Sequence, residues 1–353
     1  MRKTGNIEAI YPLSPMQEGI LFHALYSPGT MGYLEQFSYT LEGNLNVPAF
    51  EKAWQKVVAR HPILRTLFTW EKRNQPLQIV RQKVTVPFAF EDWRSYSPSE
   101  QESQLEAFLI SDRELGFNLS KAPLMRLHLI RLGERRYQFT WCFHHLLLDG
   151  WSGQIVLSEF FNIYESICKS EAPKLPVRRP YREFIAWLQK QDLTQTERFW
   201  RTYLSGFTKP TPFGIDRPKT KGQMEAYTKQ EFALPEDLTK RLKLFAQEQH
   251  LTMSTTIEGI WAIILSRYSN EHDVVFGATV SGRTVPLVDI ENMVGVFINT
   301  LPLRVSVKPA ESFSEWLKSL QARQAKMQIY EHCPLTHIQQ CSDLPAYLPL
   351  FES

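Results

Sequence analysis

RYQFTWCFHHLLLDGWSG, residues Arg136 to Gly153, is the stretch whose reading decides the rest. Tyr137, Phe139, Trp141, Phe143 and His145 fall at every second position, with Gln138, Thr140, Cys142 and His144 between them. That period of two marks a β-strand whose alternate side chains face opposite sides. The adjacent histidines therefore point apart and do not act as one pair. Parity alone leaves open which of them faces a cavity. The pattern breaks at Asp149 and Gly150. Beyond it Ile155, Leu157, Phe160, Phe161, Tyr164 and Ile167 form a broad apolar face at helical spacing.

Working outward, PLMRLHLIRLG (Pro123 to Gly133) predicts a strand that forms a hairpin with the first, turning near Gly133. Val47 to Phe68 reads as a helix running into a strand, with Pro48 early in the helix. RTLFTWEK and PLQIVRQKV read as strands, and Gln101 to Arg113 as a helix. In the second half, Tyr181–Gln191, Gln195–Leu204, Pro235–Gln249 and Ser254–Tyr268 read as helices. DVVFGATVSG and VFINTLPLRVSV carry strand signals, and Ser312 with Glu315 has capping-box spacing. Helices and strands alternate in both halves, so the class is α/β or α+β in two lobes. The proline-rich SEAPKLPVRRPY predicts the boundary, giving lobes 1–172 and 173–353.

Composition narrows the function classes. Forty basic residues against 37 acidic ones, a net charge of +3, give no electrostatic reason to expect nucleic acid. No apolar run reaches a membrane span, and the N-terminus has no apolar leader segment. The four cysteines, Cys142, Cys168, Cys333 and Cys341, show no CxxC pairing, which points to reduced thiols and a cytoplasmic protein.

A neutral imidazole can accept a proton or donate a hydrogen bond near neutral pH. An amine attacking a thioester or ester needs its proton removed or its oxyanion stabilised, and either role suits a histidine in a dry channel. A carboxylate such as Asp149 more often holds a loop by pairing with an arginine. His145 and Asp149 lack a third metal ligand nearby, so no metal site is expected. Cys142, between Trp141 and Phe143, reads as a packed thiol. Glu331, His332, Cys333 and His337 look metal-like only in composition.

HHLLLDGWS resembles the active-site motif of nonribosomal peptide synthetase condensation domains, relatives of chloramphenicol acetyltransferase. Other segments match in order: YPLSPMQEGILFHAL (Tyr11 to Leu25), RHPILRTLF (Arg60 to Phe68), YREFIAWL (Tyr181 to Leu188), VSGR (Val280 to Arg283), VGVFINTLPLRV (Val294 to Val305) and YEHCPL from Tyr330. The resemblance spans essentially the whole chain. It implies two acetyltransferase-like lobes in a V-shaped pseudodimer. Donor and acceptor peptidyl carrier domains would each deliver a substrate on a phosphopantetheine arm, with an adenylation domain adjoining and no cofactor held by the chain itself. His145 would be catalytic. His144, Asp149 and Gly150 would be structural parts of the site, and Arg283 the salt-bridge partner of Asp149. Trp151, Ser152 and Asn299 are candidates to line the tunnel, with Ser152 alternatively an N-cap. Arg60, His61 and Arg65 are expected to be structural.

The SPMQEG core resembles the subtype that takes a donor ending in a D-residue and an L-configured acceptor. The two histidines argue against heterocyclisation. Epimerisation is the nearest enzymatic rival, a non-catalytic binding module and a free-standing coenzyme A acyltransferase the others. The chain stops at LPLFES, before a further strand that the family leads one to expect, so the second lobe is expected to be incomplete.

Overall fold

The computed structural model describes residues 5–26, 33–212, 230–345 and 347–353. The first four residues, part of the stretch read for a leader, lie outside these. The chain divides into two compact units, residues 1–190 with 287–297, and residues 191–286 with 298–353.

The first unit runs β1 (Ile7–Pro12), α1 (Pro15–Tyr26), β2 (Leu34–Glu42), α2 (Val47–Arg60), β3 (Thr66–Thr69), β4 (Leu77–Arg81), β5 (Phe88–Asp92), α3 (Pro98–Glu114), β6 (Met125–Arg131), β7 (Arg136–His144), α4 (Gly150–Cys168) and α5 (Arg182–Leu188). One sheet has the order β1-β4-β3 and the other β2-β7-β6-β5. The predicted hairpin is present, with Met125 opposite Phe143 and Arg131 opposite Tyr137. The long strand β2 was not read from the sequence. It pairs antiparallel with the other edge of β7, Leu34 opposite His144.

Every residue of β7 after Arg136 is buried, so both faces are covered. On one face Trp54 of α2 lies 5.1 Å from Trp141 and 4.6 Å from Phe160 of α4, ring centre to ring centre. The other face is polar and carries its own hydrogen bonds. Thr140 pairs with Ser38, Gln138 with Thr40, and Asp112 of α3 accepts hydrogen bonds from Gln36 and Arg126. Helix starts follow local chemistry. Asn46 caps α2, and Ser97 with Glu100 forms a capping box on α3.

The proline-rich segment is not where the units part. Arg60 donates to Pro176 O, Arg178 pairs with Glu159 at 2.8 Å, and Tyr181 is buried, which binds residues 170–190 to the first unit. The expected division at 172/173 therefore gives way to one at 190/191, with residues 287–297 returning to the first unit. Proline marked an extended stretch of chain, and side-chain pairing decided its membership.

The second unit contains α6 (Leu193–Leu204), α7 (Glu236–Glu248), α8 (Met253–Ser269), β8 (Asp273–Val280), β9 (Asn299–Ser306), α9 (Phe313–Gln328) and α10 (Leu335–Gln340). β8 and β9 pair antiparallel, Val280 opposite Asn299 and Asp273 opposite Ser306. Trp200, Leu265, Val274, Leu303, Trp316 and Leu317 share its core. A Cβ on Gly259 would lie 2.3 Å from Leu317, so the glycine permits the close approach of α8 to α9. The capping box expected at Ser312 does not form. Ser312 makes no cap bond, and its hydroxyl lies 3.1 Å from that of Ser314.

Candidate active site

The histidine pair closes β7, and the loop behind it is held from several sides. His144 is buried, and its Nδ1 accepts the N–H of Leu146 at 3.2 Å. Burial first, and His145 second, push its pKa down to about 4, so the ring is neutral with its proton on Nε2. The carbonyl of Leu146 accepts from Nε2 of Gln17 at 2.9 Å. The Gln17 Oε1 in turn accepts the Ser14 N–H at 3.0 Å. Leu146 is thus fixed at both its backbone N–H and its C=O. Gln17 lies in the quoted SPMQEG stretch, but nothing in the sequence announced that its partner lies 129 positions away.

His145 differs from its neighbour. Its backbone N–H donates to Tyr33 O at 2.8 Å. The side chain is half-buried, and its Nδ1 has no hydrogen-bond partner among the described residues. That nitrogen is itself buried, while the main chain is anchored. Of the two rings, His144 lines a cavity with Tyr33, Leu34, Trp70 and Phe117, while its Nδ1 is committed to the Leu146 N–H.

Asp149 is the N-cap of α4. One carboxylate oxygen accepts the Ser152 N–H at 2.7 Å, and the other accepts the Phe297 N–H at 2.9 Å. The candidate cap Ser152 is therefore displaced by Asp149. Ser152 is buried and makes a reciprocal pair with Gly295 instead. Its Oγ donates to the carbonyl at 2.8 Å, and the N–H of Gly295 lies 3.0 Å from the same oxygen. Trp151 is 54% exposed, with its indole N–H on Glu291 O at 2.9 Å. A Cβ at the exposed Gly150 would meet no heavy atom within 4 Å.

Arg283 and Asn299 belong to the second unit. Arg283 is buried on the loop after β8. Asn299, a candidate lining residue, has its amide committed to the carbonyls of Glu331 and Cys333, both at 2.8 Å. Both the Ser152 and Asn299 side chains are engaged with main-chain groups.

The remaining candidates are placed as follows. Arg60, His61 and Arg178 converge on the Glu159 carboxylate at 2.7 to 2.8 Å. Arg65 binds Glu8 and the carbonyl of Val58. Cys142 is buried, which pushes its thiol up to about 12 and removes it as a nucleophile. The metal-like set does not converge: Glu331 binds Thr284, and His337 lies 3.0 Å from Glu197. Among the described residues no cluster of three or more His, Cys, Asp or Glu converges as a metal site, and no helix is long and apolar enough to cross a membrane.

The family model described as "Condensation domain" matches residues 7–353. A linear gramicidin synthase of Brevibacillus parabrevis is 45% identical over 100% of this chain, which covers 5% of that protein. Tyrocidine synthase 2 of the same organism is 39% identical over 94% of the chain and 9% of its own length. The chain thus spans less than a tenth of either relative. Among solved structures, the starter condensation domain of rhizomide synthetase matches with a TM-score of 0.79 at 19% identity, covering 97% of this chain and 77% of that one. The first condensation domain of the calcium-dependent antibiotic synthetase matches at 0.77 and 18%, covering 95% and 78%. At such identities the likeness establishes the fold, and the mixed α/β class expected from the sequence is the one observed.

Proposed function

The chain belongs to the condensation-domain family of nonribosomal peptide synthetases, and from that premise we propose that it joins two carrier-bound substrates through an amide bond. The donor is an aminoacyl or peptidyl thioester, and the acceptor is the amine of an amino acid on a second carrier domain. The amine nitrogen attacks the thioester carbonyl and a C–N bond forms. The C–S bond breaks, and the proton lost by nitrogen ends on the departing phosphopantetheine thiolate. Two tethered arms raise the local concentration of each partner, so positioning supplies much of the rate.

The observation that carries this reading is the contrast between the two histidines. His144 is locked and neutral, while His145, one residue on, is half-buried with an unpartnered Nδ1 and a fixed main chain. A ring so placed can accept the amine proton or hold the amine during attack. Arg283 is the cation that the motif resemblance assigns to the same site. The SPMQEG core supports a donor ending in a D-residue. The upstream and downstream carriers and an adenylation domain are the partners this reading requires, and the chain itself needs no cofactor.

The test uses a donor carrier loaded with a D- or L-aminoacyl group and an acceptor carrier loaded with an amino acid, each followed by intact mass. The acceptor is expected to gain the donor mass with the D-donor preferred. His145→Ala should slow transfer by about 10²- to 10⁴-fold. Carrier binding without transfer would instead indicate a binding module. Inversion of the donor α-carbon without transfer would indicate epimerisation.

A further inference from the structure

We infer that Glu331 is a positioning residue for this reaction, acting through Thr284 on the loop that carries Arg283. The inference rests on the function proposed above, in which Arg283 serves the site. Its ground is a polar cluster inside the second unit that the reaction chemistry does not itself account for.

β8 ends at Val280, and the chain turns through Gly282, whose φ of 65° is one that a glycine adopts without strain. Ser281 Oγ accepts the Arg283 N–H at 3.3 Å. The next residue, Thr284, gives both its donors to one oxygen of Glu331, the backbone N–H at 2.8 Å and the hydroxyl at 2.5 Å. Glu331 is 1% exposed. Burying a carboxylate is costly unless hydrogen bonds compensate, and both of these land on the residue beside Arg283. Charge on the acceptor strengthens each of them.

The carboxylate is itself held in place. Asn299 opposes Val280 at the same end of the β8–β9 ladder. Its amide grips the carbonyls of Glu331 and Cys333, while the Glu331 N–H donates to Gln328 O at 3.2 Å. The start of β9, the turn after α9 and the loop after β8 thus form one connected network. Packing alone would be served by an apolar side chain at 331. A buried anion aimed at a single loop residue is a device for fixing that loop.

The experiment compares Thr284→Val, Thr284→Ser, Glu331→Ala and the parent chain with both carriers loaded. Single-turnover transfer is measured against acceptor-carrier concentration, and hydrogen exchange is followed at the Thr284 amide. Thr284→Val, nearly isosteric, covers the case in which Glu331→Ala fails to fold. Thr284→Val and Glu331→Ala should each lower the maximal rate by about tenfold or more. The half-saturating carrier concentration should stay within about twofold. Thr284→Ser should restore most of the rate, and Glu331→Ala should speed exchange at residue 284 by about tenfold or more. Transfer by folded Thr284→Val within about twofold of the parent overturns the inference. A parent that transfers nothing sinks the assigned reaction instead, and an unchanged exchange rate in Glu331→Ala then refutes the clamp by itself.

Discussion

At the scale of single residues, the site depends on which hydrogen bonds are already spent. His144 and Gln17 consume the N–H and C=O of Leu146, the residue that follows His145. Gln17→Leu would leave the buried Leu146 carbonyl unpaired. That should cost about 1–3 kcal/mol of stability. It should also slow transfer, because the residue that follows His145 is then held from one side only. Urea unfolding and single-turnover transfer check the two effects, and a variant as stable as the parent would show that Gln17 contributes no support. Only the motif resemblance singled out His145; the sequence made the HHLLLDG spacing legible because it is local. It left Gln17 illegible because a long-range side-chain bond has no periodicity to reveal it. Asp149 shows an intermediate case. Its place ahead of an apolar helical face is the mark of a cap, yet Ser152 three residues on carries the same cue, and what decides is that Asp149 accepts the Ser152 N–H while the Ser152 hydroxyl goes to Gly295.

At the scale of elements, the start of α4 is tied down by the segment 287–297. Besides the bonds from Asp149, Trp151 and Ser152, Arg178 reaches Asn292 at 2.6 Å and Tyr181 donates to Val296 O at 2.7 Å. This explains a mismatch with the sequence. VFINTLPLRVSV carries strand signals from Val296, but β9 begins only at Asn299. The apolar pattern continues through Val296 and Phe297 while their backbone groups go to Tyr181 and Asp149 rather than to a ladder. Gly295 makes the arrangement possible, since a Cβ there would lie 2.1 Å from the buried Tyr181 ring. Gly295→Ala must displace that ring or the segment, at about 1–3 kcal/mol. The expected result is a lower melting temperature and faster exchange at the Gly295 and Phe297 amides. An alanine variant that melts with the parent would mean that the ring moves aside freely.

At the scale of the whole molecule, the alternation of helix and strand gave the class, while the division between units depended on ion pairs that sequence order hides. Glu159 belongs to that hidden set. It is 3% exposed and joins α2, α4 and the proline-rich segment through Arg60, His61 and Arg178. Burial alone would raise its pKa, but the hydrogen bonds from His61 and Arg178 prevail and hold it down to about 2. A depressed carboxylate contributes stability that is complete above its ordinary value of 4.5 and is lost as pH falls toward 2. His144 acts in the adjoining window. Its charged form is disfavoured by burial, so its contribution is complete above 6.5 and declines as pH falls toward about 4. Each shift corresponds to something on the order of 3 kcal/mol. The two windows overlap, so acid destabilisation should begin near pH 6.5 and continue without a plateau toward pH 2. Urea midpoints measured across this range test it. His144→Asn should flatten the upper part of the profile. Glu159→Gln should start from a lower midpoint, because two arginines lose a buried partner, and should flatten the lower part. A parent midpoint that is constant between pH 7 and 5 would show that His144 is protonated as readily in the folded chain as in the unfolded one.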